Sequence, residues 1–268
     1  MEEKMAQKLA QHEAKLKGLS PEETKRRMEE ARQAILLDPS FFDAPLSDIG
    51  RSDAMECKRR LKGLFEQFSP PTRAIVSPLQ RTLQTAAIIF ESADDTNIEV
   101  AEQVRERLTG RPADNRHATI TVAQRESFRK MDFSRVRLLS NMAEIQEALK
   151  DQMKHLTVLE GSDKQTEVRS SSGRRYGRTS SSNADPTSAE TEEDLAKRTS
   201  QLLPLLLEKE DTNVAIVSHK GYLRSLECTQ FGVENPCNFN NGEIRVYRIV
   251  ISKNHGTDPK IITAKRLC

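Results

Sequence analysis

The chain has 268 residues, 36% hydrophobic and 31% charged, which is enough for one α/β domain with a substantial core while leaving part of the length solvated. Forty-two basic residues against forty acidic ones give a net charge of +2, so no chain-wide field attracts nucleic acid or anionic lipid, and any anion site has to be local. Cys57, Cys228, Cys237 and Cys268 show no CxxC or Cys/His spacing, which argues against a zinc site or a disulfide framework. No apolar run approaches the roughly 20 residues of a membrane span, and the Met-Glu-Glu-Lys start is unlike a secretory leader. A soluble cytoplasmic protein is expected.

In chain order, residues 1–40 read as a charged helical segment. Ser20-Pro21-Glu22-Glu23 supplies an N-cap, a proline at N1 and an acid at N3 for a helix over about 21–35. Ser47 caps a further helix reaching about residue 68, with Met55, Leu61, Leu64 and Phe65 as its apolar stripe. Arg73-Ala74-Ile75-Val76 and Val214-Ala215-Ile216-Val217 read as buried parallel strands. Each leads through a polar turn into a helix, over 83–90 and 222–230, which is the grammar of a doubly wound sheet. Residues 244–251 alternate and suit a sheet edge. The stretch 161–190 is rich in serine and arginine, has little to bury, and is expected to be a mobile, dispensable insertion in a domain over 41–251. A helical stripe resumes from Glu192 through Leu195, Leu202, Leu203 and Leu206, and residues 252–268 read as a C-terminal tail.

Two stretches carry chemistry. In Val76-Ser77-Pro78-Leu79-Gln80-Arg81-Thr82 a strand ends, a proline turn follows, and an arginine stands at the start of a helix, where amides and a guanidinium fork can hold a tetrahedral anion. In Ile216-Val217-Ser218-His219-Lys220-Gly221 a strand again ends in a turn, placing an imidazole beyond the carboxyl ends of the sheet, where ligand crevices lie. Neighbouring strands would bring Arg81 and His219 into one crevice.

Taken together and in this order, Ser77-Pro78-Leu79-Gln80-Arg81-Thr82-Leu83-Gln84-Thr85-Ala86 and Ser218-His219-Lys220-Gly221-Tyr222-Leu223-Arg224 resemble the histidine phosphatase (phosphoglycerate mutase-like) superfamily. The resemblance extends to Asp43-Ala44-Pro45-Leu46-Ser47-Asp48-Ile49-Gly50, to residues 105–116 and to Met131-Asp132-Phe133-Ser134, the last two suggesting a fungal, plant and protist branch. Asn241-Gly242-Glu243-Ile244-Arg245-Val246-Tyr247 closes it, so roughly residues 41–251 are covered apart from the insertion. It implies a three-layer α/β sandwich with a mostly parallel sheet. It also implies that Arg81 and His219 bind phosphate, that His219 and Glu106 serve catalysis, with Glu106 the proton donor to the leaving oxygen, and that no metal or other cofactor is needed. The implied partner is a small phosphorylated substrate or inorganic phosphate, with no nucleic acid or membrane; oligomeric state stays open. Phosphatases and mutases share this constellation and differ in the loops that retain a second phosphate.

One departure matters. The family carries an early strand ending in Arg-His-Gly whose histidine is the nucleophile, and these 268 residues contain no Arg-His-Gly. Aligning Ala10-Gln11-His12 with the family's following His-Asn stretch would put Ala6-Gln7-Lys8 at those positions, and glutamine forms no phosphohistidine. His117 and His155 lack a strand-end setting. Two readings stay open: a chain beginning downstream of its true start, favoured because the Arg81, Glu106 and His219 motifs are intact, or a degenerate member. The chain as given is expected to be inactive, within a family that hydrolyses or transfers phosphate. The alternative is a non-catalytic module binding a phosphorylated ligand or protein partner. A nucleic-acid binder built on the basic cluster of residues 169–178 is disfavoured, because Tyr176 is its only aromatic.

Overall fold

The computed structural model describes residues 2–116, 119–136, 189–252 and 259–268. His117, His155 and nearly all of the Ser/Arg-rich stretch lie outside the described residues.

Four parallel strands make the central sheet in the order β3-β2-β1-β4, with β1 Arg73–Val76, β2 Asn97–Ala101, β3 Met131–Arg135 and β4 Val214–Val217. The centre of the sheet is β1, where Val76 stands opposite Val100 on one side and Val217 on the other. Side chains alternate across it. Ala74 and Val76 pack with Leu83 and Ala86 of α4 (Gln80–Ile89) and Val122 of α5 (Thr119–Ala123). Ile75 packs on the opposite face with Leu195 of α6 (Glu192–Ser200), Leu202 and Leu205 of α7 (Leu202–Leu207), and Tyr222 and Leu226 of α8 (Lys220–Thr229). Helices on both faces of a mostly parallel sheet give the expected three-layer α/β arrangement.

Both strands of the pair β1 and β4 appear where the apolar runs place them, but β4 differs in burial. Its four residues are only half-buried, whereas all of β1 is buried. Edge position explains this: among the described residues no strand pairs with the outer side of β4. The alternating run expected at the edge of this sheet instead forms β5 (Tyr247–Ser252), which pairs antiparallel with β6 (Lys260–Arg266) in a separate two-stranded sheet. The stretch read as a tail thus contains a strand.

Ahead of the sheet, α1 (Glu2–Leu16) packs on α2 (Pro21–Leu36), the two joined through Gly18 at φ +66°. The Ser20 hydroxyl accepts the Glu23 N–H at 3.2 Å, the cap that its sequence predicts. Ser47 does the same for Gly50 at the start of α3 (Asp48–Phe65), which packs on α4.

The amino end of the sheet holds a buried ion network. Arg73 and Glu99 are each 1% exposed, with Arg73 Nη2 2.7 Å from Glu99 Oε2. Arg73 Nη1 donates to the Leu205 carbonyl at 3.0 Å, and Lys209 and Arg135 also reach Glu99. Each buried charge there has a partner, as the cost of removing ions from water demands.

Candidate functional site

Because β1 and β4 run parallel and in register, the turns that follow them share one end of the sheet; the Ser77 N–H donates to the Val217 carbonyl at 3.0 Å and ties them together. Arg81 stands in the first turn of α4. Its Nη1 donates to the Ala113 carbonyl at 2.7 Å, which aims the guanidinium along the 110–116 loop. Asp43, fully buried and at φ +43°, turns its carboxylate toward the same helix start, where Oδ1 accepts the Gln80 N–H at 2.7 Å. The Leu46 N–H donates to Gln84 Oε1 at 2.7 Å, so the Asp-Ala-Pro-Leu turn is pinned against α4 at two points.

Glu106 follows β2. Its Oε1 accepts the Arg107 N–H at 2.9 Å, and the Tyr222 N–H in the first turn of α8 also bonds the carboxylate. That approach explains Gly221: a Cβ there would lie 2.6 Å from Glu106 Oε1. His219, just before α8, has Nε2 2.8 Å from Ser77 Oγ and Nδ1 4.0 Å from Glu106 Oε2. Arg198 of α6 braces the region from beneath. It donates to the Gln103 and Arg105 carbonyls at 3.1 and 2.7 Å, grips Glu190 with two bonds, and stacks on the Tyr222 ring at 5.2 Å.

The electrostatics follow from burial. Desolvation holds the His219 pKa well below its ordinary value, and the charges of Arg81 and Arg198 push the same way, so the imidazole is neutral at pH 7. Burial raises the Glu106 carboxyl, with Asp114 adding to the rise while the Arg107 and Tyr222 amides and Arg81 oppose it. Burial also depresses Arg81, against the pull of Glu106, Asp114 and Asp43. A guanidinium, a neutral imidazole and a carboxyl that holds its proton more tightly than usual therefore meet at one end of the sheet. That set can hold an anion and deliver a proton.

Arg81 and His219 of the two motifs and Glu106 of the 105–116 stretch thus bear on one another's charge. Ala6-Gln7-Lys8 lie inside α1, not at a strand end, which removes the alignment with Arg-His-Gly, and His12 is exposed on that helix. Asp43, Ser77 and Arg198 join the site without having been assigned roles. Asp43 and Ser77 stood in quoted motifs, while Arg198 carried no local signal. Among the described residues no three His, Cys, Asp or Glu side chains group as metal ligands.

The family model of the histidine phosphatase superfamily (branch 1) matches the chain over residues 41–159 and 143–258. The chain belongs to the histidine phosphatase superfamily. None of the curated proteins compared with it matches. For this superfamily member the matched span contains β1–β4 and all three of Arg81, Glu106 and His219, and its helix-flanked parallel sheet is consistent with a phosphoglycerate mutase-like fold. Among the described residues no helix is long and apolar enough to cross a membrane.

Proposed function

We propose that this end of the sheet holds the phosphoryl group of a small phosphomonoester. Arg81 and His219 bind its oxygens, and Glu106 protonates the leaving oxygen as the ester P–O bond breaks. The observation that carries this reading is the Arg81–Glu106–His219 convergence, in which half-buried Glu106 is pushed toward its protonated form beside a guanidinium and a neutral imidazole. In the complete reaction the phosphoryl group passes to a histidine nitrogen and then to water or a second acceptor.

Among the described residues neither His12 nor His219 supplies that nucleophile in our reading. His219 is taken up by Ser77 and by phosphate binding, and His12 is exposed on α1. The outer edge of β4, unpaired among the described residues and half-buried and apolar beside His219, is where a further strand ending in the nucleophile would pair. The chain by itself is then a phosphate-binding scaffold without turnover. A standing role as a non-catalytic binder of a phosphorylated ligand is the second reading, favoured by the exposure of His12 on α1, which leaves His219 as the one pocket imidazole among the described residues.

The test compares residues 1–268 with a form extended by an apolar strand ending in Arg-His-Gly. We expect no hydrolysis of an aryl phosphate by the shorter form, turnover by the longer one, and a fall of roughly 10²-fold or more in Glu106→Gln. Turnover by residues 1–268 that survives His219→Ala would refute the reading.

A further inference from the structure

The Ser77–His219 contact says more than that two polar groups meet. Ser77 is fully buried, and its hydroxyl carries one hydrogen that has to find an acceptor. Two atoms stand within reach of Oγ: His219 Nε2 at 2.8 Å and the Leu79 nitrogen at 3.5 Å. The Leu79 N–H is a donor, so among the described residues the only available acceptor is Nε2. Were Nε2 to carry the proton and donate instead, the serine hydrogen would be buried with no acceptor among the described residues. The strands hold this geometry, since Ser77 and His219 follow paired β1 and β4, and Thr82 Oγ1 fixes the Ser77 carbonyl at 3.0 Å.

The proton of the neutral imidazole then belongs on Nδ1. That nitrogen makes no hydrogen bond among the described residues and faces Glu106 Oε2 across 4.0 Å, beyond direct bonding distance. The charged groups facing the ring are Glu106, Arg81 and Arg198; the two guanidiniums disfavour a second proton on it.

We infer that Ser77 is a positioning residue that locks His219 in the Nδ1–H tautomer, so that Nδ1–H is the donor offered to a phosphoryl oxygen in the space shared with Glu106 and Arg81. This rests on the phosphate-site reading above. It makes the serine at the strand end, three residues before α4, part of the specificity for an anion that needs a donor and not an acceptor.

The experiment is a long-range proton–nitrogen correlation spectrum of the full 268-residue chain carrying ¹⁵N-histidine, near neutral pH, with the His219 pattern assigned by its loss in His219→Asn. We expect a pyrrole-type Nδ1 and a pyridine-type Nε2. Adding inorganic phosphate should move the Nδ1 resonance and leave Nε2 nearly in place. Ser77→Ala should release the ring toward the Nε2–H form and weaken phosphate binding by about 10-fold, the scale of one charge-assisted hydrogen bond, while Ser77→Thr keeps both properties. A pyrrole-type Nε2 in the wild type overturns the inference, whether or not Ser77→Ala folds. An Nδ1–H tautomer in a chain that binds no phosphate would instead refute the phosphate-site reading and leave the positioning by Ser77 standing.

Discussion

The two ends of the parallel sheet bury similar groups and treat them differently. At the amino end, Glu99 is met by Arg73, Lys209 and Arg135, and Arg73 also finds a backbone carbonyl. At the carboxyl end, among the described residues, Arg81 has one carbonyl, Glu106 has amides but no ion pair within bonding distance, and His219 keeps one nitrogen unpartnered. Dense pairing satisfies the desolvation cost and leaves no capacity for a ligand, whereas sparse pairing leaves donors and charge unspent. Buried charge alone therefore does not mark a site; incomplete pairing at the carboxyl end of the strands does.

The largest effect that sharpens this contrast belongs to the amino end. Glu99→Ala leaves buried Arg73 with the Leu205 carbonyl and Asp211 at 3.8 Å but without its close ion pair, and should cost about 3–5 kcal/mol, a large share of the roughly 5–15 kcal/mol that holds a domain together. Urea denaturation measures it, and a loss below about 1 kcal/mol would erase the distinction between the two ends. Next comes Glu190, whose carboxylate takes two bonds from Arg198 and one from the Leu108 N–H. A deletion of 161–190 should be less stable than one of 161–188 by about 1.5–3 kcal/mol, the value of a bond to a charged group. Equal melting curves would mean that Glu190 does not anchor this edge. The residue falls inside the stretch read as dispensable, and its pairing with Arg198 corrects that boundary.

At the carboxyl end the effects are smaller and pH-dependent. Folded His219 has its pKa below 6.5, so under mildly acid conditions the unfolded chain binds a proton that the folded chain refuses. Stability is then fully present above about pH 6.5 and falls as the pH drops below it. His219→Asn removes that loss, so its stability relative to wild type should improve between about pH 7 and pH 5; a difference independent of pH would contradict a neutral, buried imidazole. The smallest change in stability is expected from Gly221→Ala. Better helix propensity, about 0.5–1 kcal/mol, offsets the push on Glu106, leaving the net within about 1 kcal/mol. The Glu106 titration followed by NMR should nonetheless shift in that variant, and an unmoved one would show that the carboxylate does not rest against α8.

What the sequence made legible follows from the range of the forces involved. Continuous apolar runs with turn residues behind them revealed β1 and β4, and the Ser20 and Ser47 caps located two helix starts within a residue. The strands β2 and β3 escaped notice because Glu99 and Asp132 interrupt them. Glu99 is compatible with a buried strand through Arg73, Arg135 and Lys209, the nearest of which in sequence is 26 positions away. Half-burial of β4 depends on which strands flank it, which no local pattern encodes. In the site, Arg81, Glu106 and His219 were readable because each sits in a motif at an element boundary. Asp43 acts on α4 across 37 positions, and Arg198 reaches the site from a separate helix, so their contributions exist only once the chain is folded.

In this reading, charge at the carboxyl end serves an anion and charge at the amino end serves the fold. Calorimetric titration of orthovanadate into the wild-type chain and into Arg81→Ala, each first shown to be folded by its urea transition, tests it most directly. The account predicts binding by the wild type, a loss of at least about 10-fold in the variant, and a smaller fall in stability than Glu99→Ala produces. Equal affinity in the two proteins, or an Arg81→Ala variant as destabilised as Glu99→Ala, would contradict it.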